Sequence, residues 1–145
     1  MKLLDTTVFG DILDGRENVR DRLLQHAPAE LAIPSIVRGE LLIGATRMPH
    51  GHGARLAVEQ MLAPIPVIDF DERLAYAYGV LQATMWESGN AIGVADAMIA
   101  ATAIIRDATL VTSDAEAFAH VPGLITEDWR AASSLRAGQP DRLRG

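Results

Sequence analysis

The chain contains no cysteine, and that absence excludes disulfides, cysteine-ligated zinc, iron–sulfur clusters and thiol catalysis. No segment approaches the roughly 18 apolar residues of a membrane span. The opening Met1-Lys2-Leu3-Leu4-Asp5 reaches an acid before an apolar signal run can form, so a cytoplasmic location without membrane contact is expected. There is no glycine-rich phosphate loop and no Gly-x-Ser-x-Gly elbow, which argues against P-loop and serine-hydrolase chemistry. Internal repeats and low-complexity blocks are also missing.

What remains is an ordinary globular composition. With 145 residues, 49% hydrophobic and 22% charged, the chain is long enough to bury a core and too short for a second domain of normal size. One domain over residues 1–130 is expected, followed by a polar tail over 131–145 that carries Arg136, Arg142 and Arg144. The net charge of −6 lowers the expectation of nucleic-acid binding, because phosphate contacts draw on surplus Lys and Arg. Carboxylates clustered around a metal ion would weaken that argument, since the metal balances them.

Strands and helices alternate along the sequence. Short apolar segments at Lys2–Leu4, Leu31–Ile33, Val67–Phe70 and Thr109–Thr112 read as strands, with Leu124–Ile125 as a last one. Helical periodicity follows each of the first three: up to Leu13 and over Val19–His26, from an N-cap at Ser35 through Ile43, and from Asp71 to Glu87. Met48–Gly53 reads as a loop, and Val94–Arg106 as a small-residue helix with Asp96 in its first turn. Such alternation implies a parallel sheet, whose ligands bind outside the carboxyl ends of the strands.

Four acids sit at the edges of these elements: Asp5, Glu40, Asp96 and Asp114. Converging carboxylates raise one another's pKa and call for a cation. Magnesium suits them, because it takes one or two direct carboxylates, keeps water and accepts phosphate oxygens. A metal so held acidifies water and offsets charge on a leaving oxygen, which is hydrolytic phosphodiester chemistry. Spacing alone leaves the bland reading open: Asp5 and Asp114 as turn formers, Asp96 as a helix-dipole partner, Glu40 as a solvated helix residue.

The residues around these acids resemble a known family. Leu3-Leu4-Asp5-Thr6-Thr7-Val8, Ser35-Ile36-Val37-Arg38-Gly39-Glu40-Leu41, Ile92-Gly93-Val94-Ala95-Asp96-Ala97-Met98-Ile99-Ala100-Ala101 and Leu110-Val111-Thr112-Ser113-Asp114 are similar to the successive motifs of PIN-domain ribonucleases, most of all VapC toxins. The resemblance runs from about residue 2 to about 130. It implies a three-layer α/β/α fold with a central, mostly parallel sheet, a homodimer, dependence on Mg²⁺ or Mn²⁺, endonucleolytic cleavage of RNA and a VapB-like antitoxin partner. Position by position, it makes Asp5, Glu40, Asp96 and Asp114 the metal-binding and catalytic acids, with Thr6 and Thr112 orienting them.

Two positions depart from the family. Thr7 stands where asparagine is usual, and Glu116 stands where many members have another aspartate, so that a fifth ligand would be longer-reaching, water-mediated or absent. Thr7 keeps an alternative open: a catalytically silent binding module whose acidic pocket receives a basic peptide or RNA. Two other families with a strand-end acid fit less well. Haloacid dehalogenase-like phosphatases need a second Asp where Thr7 stands, and response-regulator receivers need a late lysine, whereas Lys2 is the one lysine here.

Arg38, Arg47 and Arg55 form a candidate RNA rim, with a solubilising helix surface as the rival reading. His50 and His52, lacking a third ligand, read as loop residues. Trp86 and Trp129 read as packing anchors.

Overall fold

A computed structural model describes residues 1–131. The elements, in order, are β1 (Lys2–Leu4), α1 (Thr6–Leu13), α2 (Glu17–Leu24), β2 (Leu31–Pro34), α3 (Ser35–Arg47), α4 (Gly51–Leu62), β3 (Val67–Ile68), α5 (Glu72–Glu87), α6 (Val94–Ile105), β4 (Thr109–Val111) and β5 (Thr126–Glu127). Short 3₁₀ turns span Pro28–Glu30 and Ala115–Phe118. The expected polar tail lies outside the described residues from 132 onward.

The strands form one five-stranded sheet in the order β3-β2-β1-β4-β5, and every pairing is parallel. Parallel strands covered on both faces need continuous apolar runs. Leu3, Leu4, Ile33, Leu110 and Val111 supply them and have no exposed surface. Six helices cover the sheet, which makes three layers. In α6, Ala97, Ala100, Ala101 and Ala103 are buried, and their small side chains let the helix lie close to its neighbours. In α5 the Asp71 carboxylate caps the first turn by accepting the Leu74 N–H at 3.0 Å, while Leu74, Leu81 and Met85 face the core.

The strand order decides where a ligand can sit. From β1 the chain steps outward to β2 and β3, then returns to the other side of β1 as β4. The reversal opens a crevice between the carboxyl ends of β1 and β4, the position at which open α/β sheets bind ligands. Asp5 follows β1 and Asp114 lies three residues beyond β4.

Several local expectations need correction. The last strand is Thr126–Glu127 and not Leu124–Ile125. Gly123, at φ 74°, turns the chain just before, and Leu124 and Ile125 are used in reaching the sheet edge. The third strand stops at Ile68. Ser35 is the first residue of α3 and not its cap; its hydroxyl accepts the Phe70 N–H at 3.3 Å. Helix α4 begins within the expected loop, at Gly51, after His50 turns the chain with φ 59°. Trp86 is 65% exposed and anchors nothing, because Met85 takes the inward position and the next residue points about 100° away.

Trp129 does anchor. It is 2% exposed, stacks on His26 at 5.2 Å between ring centroids, and donates its indole N–H to Glu127 Oε1 at 3.1 Å. Glu127 also pairs with Lys2 and Arg22. Burial works against its charge, but the hydrogen bonds and charges of these partners hold its carboxyl below its ordinary value. The segment after β5 is therefore stapled to β1 and α2. Trp129→Ala is expected to lower unfolding stability by about 3–5 kcal/mol, measured by urea denaturation; a loss below about 1 kcal/mol would show that the indole is not an anchor.

Candidate metal centre

The site starts with Asp5, the residue at which β1 becomes α1. Its carboxylate caps α1 by accepting the Thr6 N–H on Oδ1 at 2.8 Å. On Oδ2 it accepts the Thr112 hydroxyl at 2.7 Å and the Thr7 hydroxyl at 3.2 Å. A carboxylate offers about four acceptor positions, so three are occupied and one, on Oδ1, is left open. Asp5 is 4% exposed. Burial raises its pKa; the bonds from Thr112, Thr6 and Thr7 oppose that rise, and the charge of Asp114 adds to it.

The other acids are tied in by the same threonines. The Thr6 hydroxyl donates to Glu40 Oε1 at 2.8 Å, so one residue holds both Asp5 and Glu40. Thr112 donates to Asp5 and accepts the Asp114 N–H at 3.1 Å, which links the ends of β1 and β4. Asp96 enters from the first turn of α6. Its pKa is raised by burial first, then by the charges of Asp5, Glu40 and Asp114. The four acids drawn from four separate stretches of sequence therefore share one electrostatic neighbourhood, and no basic group figures among the causes acting on Asp96.

Among the described residues, no three acids or histidines stand close enough to form a closed cage for a metal ion. Hard oxygen donors with spare lone pairs, crowded enough to repel one another, fit a cation that keeps part of its water shell. Glu116 is exposed on the 3₁₀ turn after Asp114 and does not figure among the charges acting on Asp5 or Asp96. His50 and His52 are exposed at the start of α4, away from the strand ends.

The arginines separate by helix geometry. Arg38 is two residues before Glu40, a little over half a turn, and so leaves α3 on the opposite side; it pairs with Glu59 of α4. Arg55 borders an outer pocket with His52 and Glu59. Arg47 is seven residues after Glu40, about two turns, and lies on the same face, exposed. Between them a largely apolar groove of about 500 Å³ runs from Thr6 and Glu40 past Gly10 and Gly44 to Met48 and Ala57.

Sequence reasoning missed Asp11, which is 3% exposed and held by Arg130. The partners are 119 residues apart, and no local pattern announces them.

The folded chain binds protons at Asp5 and Asp96 more tightly than the unfolded chain does. Without metal, stability therefore falls as pH rises from the ordinary aspartate value through the raised one. Asp96→Asn is expected to raise the melting temperature by a few degrees at neutral pH in chelator and to flatten its pH dependence. An unchanged or lower melting temperature would show that the acids do not repel one another.

Residues 2–124 match the family model described as PIN domain. The chain is 34% identical over 99 residues to Ribonuclease VapC2 of Rickettsia felis, covering 68% of this chain and 74% of that protein. It is 30% identical over 128 residues to the tRNA(fMet)-specific endonuclease VapC of Salmonella typhimurium, covering 88% and 96%. Among solved structures, the DNA-bound VapBC of Salmonella typhimurium superposes with a TM-score of 0.83 at 29% identity, covering 88% of this chain and 97% of that one. VapBC2 of Rickettsia felis bound to a promoter DNA fragment gives 0.82 at 30% identity, covering 88% and 98%. With a PIN-domain match over residues 2–124 and relatives aligned over most of its length, the chain belongs to the PIN-domain family, alongside the VapC ribonucleases.

Proposed function

We propose that this protein is a divalent-metal-dependent endoribonuclease and the toxin of a toxin–antitoxin pair. The observation that carries the reading is the linkage of the acids through Thr6 and Thr112, beside Asp96, whose pKa is raised by burial first and then by the charges of the other three. Asp5, Glu40, Asp96 and Asp114 would hold Mg²⁺ or Mn²⁺. Once bound, such a cation acidifies water and offsets negative charge on the scissile phosphate.

The chain's own residues do the positioning. Thr6 fixes one oxygen of Glu40 and Thr112 one oxygen of Asp5, which leaves Glu40 Oε2 and one acceptor position on Asp5 Oδ1 for a ligand. Direct attack by water needs no covalent enzyme intermediate, and the absence of cysteine already removes a thiol nucleophile. The silent-module reading rested on Thr7, and it weakens because the Thr7 hydroxyl still donates to Asp5.

The groove beside Glu40 supports a VapB-like antitoxin as partner. Its apolar lining with small residues admits a helix, and it opens onto the acids at Thr6 and Glu40. An arginine at the end of such a segment would pair its planar fork with the carboxylates. RNA has to approach the same mouth, and Arg47 stands on that side of α3.

Two experiments test this function. Cleavage of a transfer RNA, the class in one relative's name, should appear with Mg²⁺ or Mn²⁺ and fall to background in chelator and in Asp5→Asn and Asp96→Asn. Activity that survives chelation would sink the metal mechanism. Arg47→Ala should make the dependence of log affinity on log salt shallower by about 0.7–0.9, one phosphate contact, raising KM with little change in kcat. An unaltered salt slope would remove Arg47 from the RNA path.

A further inference from the structure

We infer that Thr7 is a positioning residue that sets Asp114 against Asp5, and that Asp11 with Arg130 fixes the helix that carries it. The inference rests on the metal-centre reading and concerns the loop Thr112-Ser113-Asp114, which brings the last acid to the site. Three consecutive backbone N–H groups of this loop have specific acceptors. Thr112 donates to the Glu127 carbonyl at 3.0 Å, Ser113 to Thr7 Oγ1 at 3.0 Å, and Asp114 to Thr112 Oγ1 at 3.1 Å. The first comes from β5 and the third from the loop itself. Of these three, the second ties the loop to α1, beside the side-chain bond that the Thr112 hydroxyl makes to Asp5.

A proton count defines what Thr7 does. A threonine hydroxyl has one proton and two acceptor positions. The Thr112 proton is committed to Asp5 Oδ2 at 2.7 Å, so in the 3.3 Å contact between the two hydroxyls Thr7 is the donor. Its proton is shared between Thr112 Oγ1 and Asp5 Oδ2, the latter at 3.2 Å, while its lone pair takes the Ser113 N–H. Thr7 thus donates toward one metal acid and accepts from the neighbour of another. An amide could do both, and so can this hydroxyl.

Helix α1 is held in place one turn further on. Asp11, four residues after Thr7, is buried and receives the Arg130 fork, with Nε donating to Oδ2 at 2.8 Å and Nη2 pairing with Oδ1. Arg16 lies 3.5 Å from the same carboxylate. The Arg130 hydrogen bond keeps the Asp11 carboxyl below its ordinary value against its burial, and the charges of Arg130 and Arg16 help. Thr7 and Asp11 therefore stand on successive turns of one helix, the first taking the Ser113 N–H and the second the Arg130 fork. The Arg130 carbonyl is itself held by Asn18 at 3.3 Å.

The test uses the full chain and two readouts. Thr7→Val keeps the shape and removes the hydroxyl; Thr7→Ser keeps the hydroxyl. Calorimetric Mn²⁺ affinity should fall about 10–100-fold in Thr7→Val, the usual cost of losing a group that orients a metal ligand, and return in Thr7→Ser. In chelator, NMR exchange should show the Ser113 amide losing protection in Thr7→Val and keeping it in Thr7→Ser. Asp11→Asn should move both readouts in the direction of Thr7→Val by a smaller amount. Should Thr7→Val fail to fold, Thr7→Ala makes the same comparison. Unchanged Mn²⁺ affinity together with an unchanged Ser113 amide would overturn the role of Thr7 alone. An unaltered chain that binds no Mn²⁺ at millimolar concentration would overturn the metal centre beneath it.

Discussion

The fold and the site meet in one buried carboxylate. Asp5 ends the central strand, caps the first helix and faces the crevice where the strand order reverses. Taking a lone carboxylate out of water costs several kcal/mol even after relaxation, so the structure has to keep it hydrogen-bonded. It does so with one N–H and two hydroxyls, drawn from Thr6, Thr7 and Thr112. These donors are neutral. They satisfy lone pairs without cancelling charge, which leaves the anion available to a cation. An arginine in their place would satisfy the same lone pairs and close the site.

The rest of the charge distribution follows that division. Asp11 is buried and Glu127 partly so, yet both have pKa values lowered by basic partners: Arg130 and Arg16 for the first, Lys2 and Arg22 for the second. Asp5 and Asp96 have theirs raised. The chain's one lysine and several of its arginines thus neutralise acids that hold elements together, while the acids at the strand ends are left unneutralised. This is why the net charge of −6 is a poor guide to RNA binding. Part of the negative charge belongs to a site that a divalent ion would fill, and Arg47 is exposed two turns along α3 from Glu40.

How much of this was legible in the sequence depends on the range of the interaction. Apolar runs ending in acids marked β1 and β4 correctly, because a buried parallel strand and its polar exit are both local features. The order of motifs around Asp5, Glu40, Asp96 and Asp114 then pointed to the family without any knowledge of distances. Register at the sheet edge was not legible: β5 is two residues long, and its position depends on where Gly123 releases the chain. Arg38 shares the candidate rim with Arg47 and Arg55 in the sequence, although on the helix it diverges from Glu40, and its partner Glu59 belongs to the next helix. Trp86 was misplaced for a related reason, since an apolar residue in an apolar-periodic helix can still fall on the outer face. Asp11 and Arg130 could not be paired at all from a separation of 119 residues.

The long-range contacts also order the assembly of the site. The Asp114 loop is held by Glu127 of β5 and by Thr7 of α1, and the segment after β5 returns to α1 through Arg130. Asp5 can cap its helix as soon as α1 forms, because the Thr6 N–H is its immediate neighbour. Asp114 has no such local support. Its backbone donor is answered by Thr112, whose own position depends on β4 lying between β1 and β5. The completed cluster therefore depends on β5 as well as on β1 and β4, and the repulsion among the carboxylates belongs to the whole fold. A cation that relieved this repulsion would bind the assembled state and not its parts, and its binding would then stabilise the whole domain by mass action.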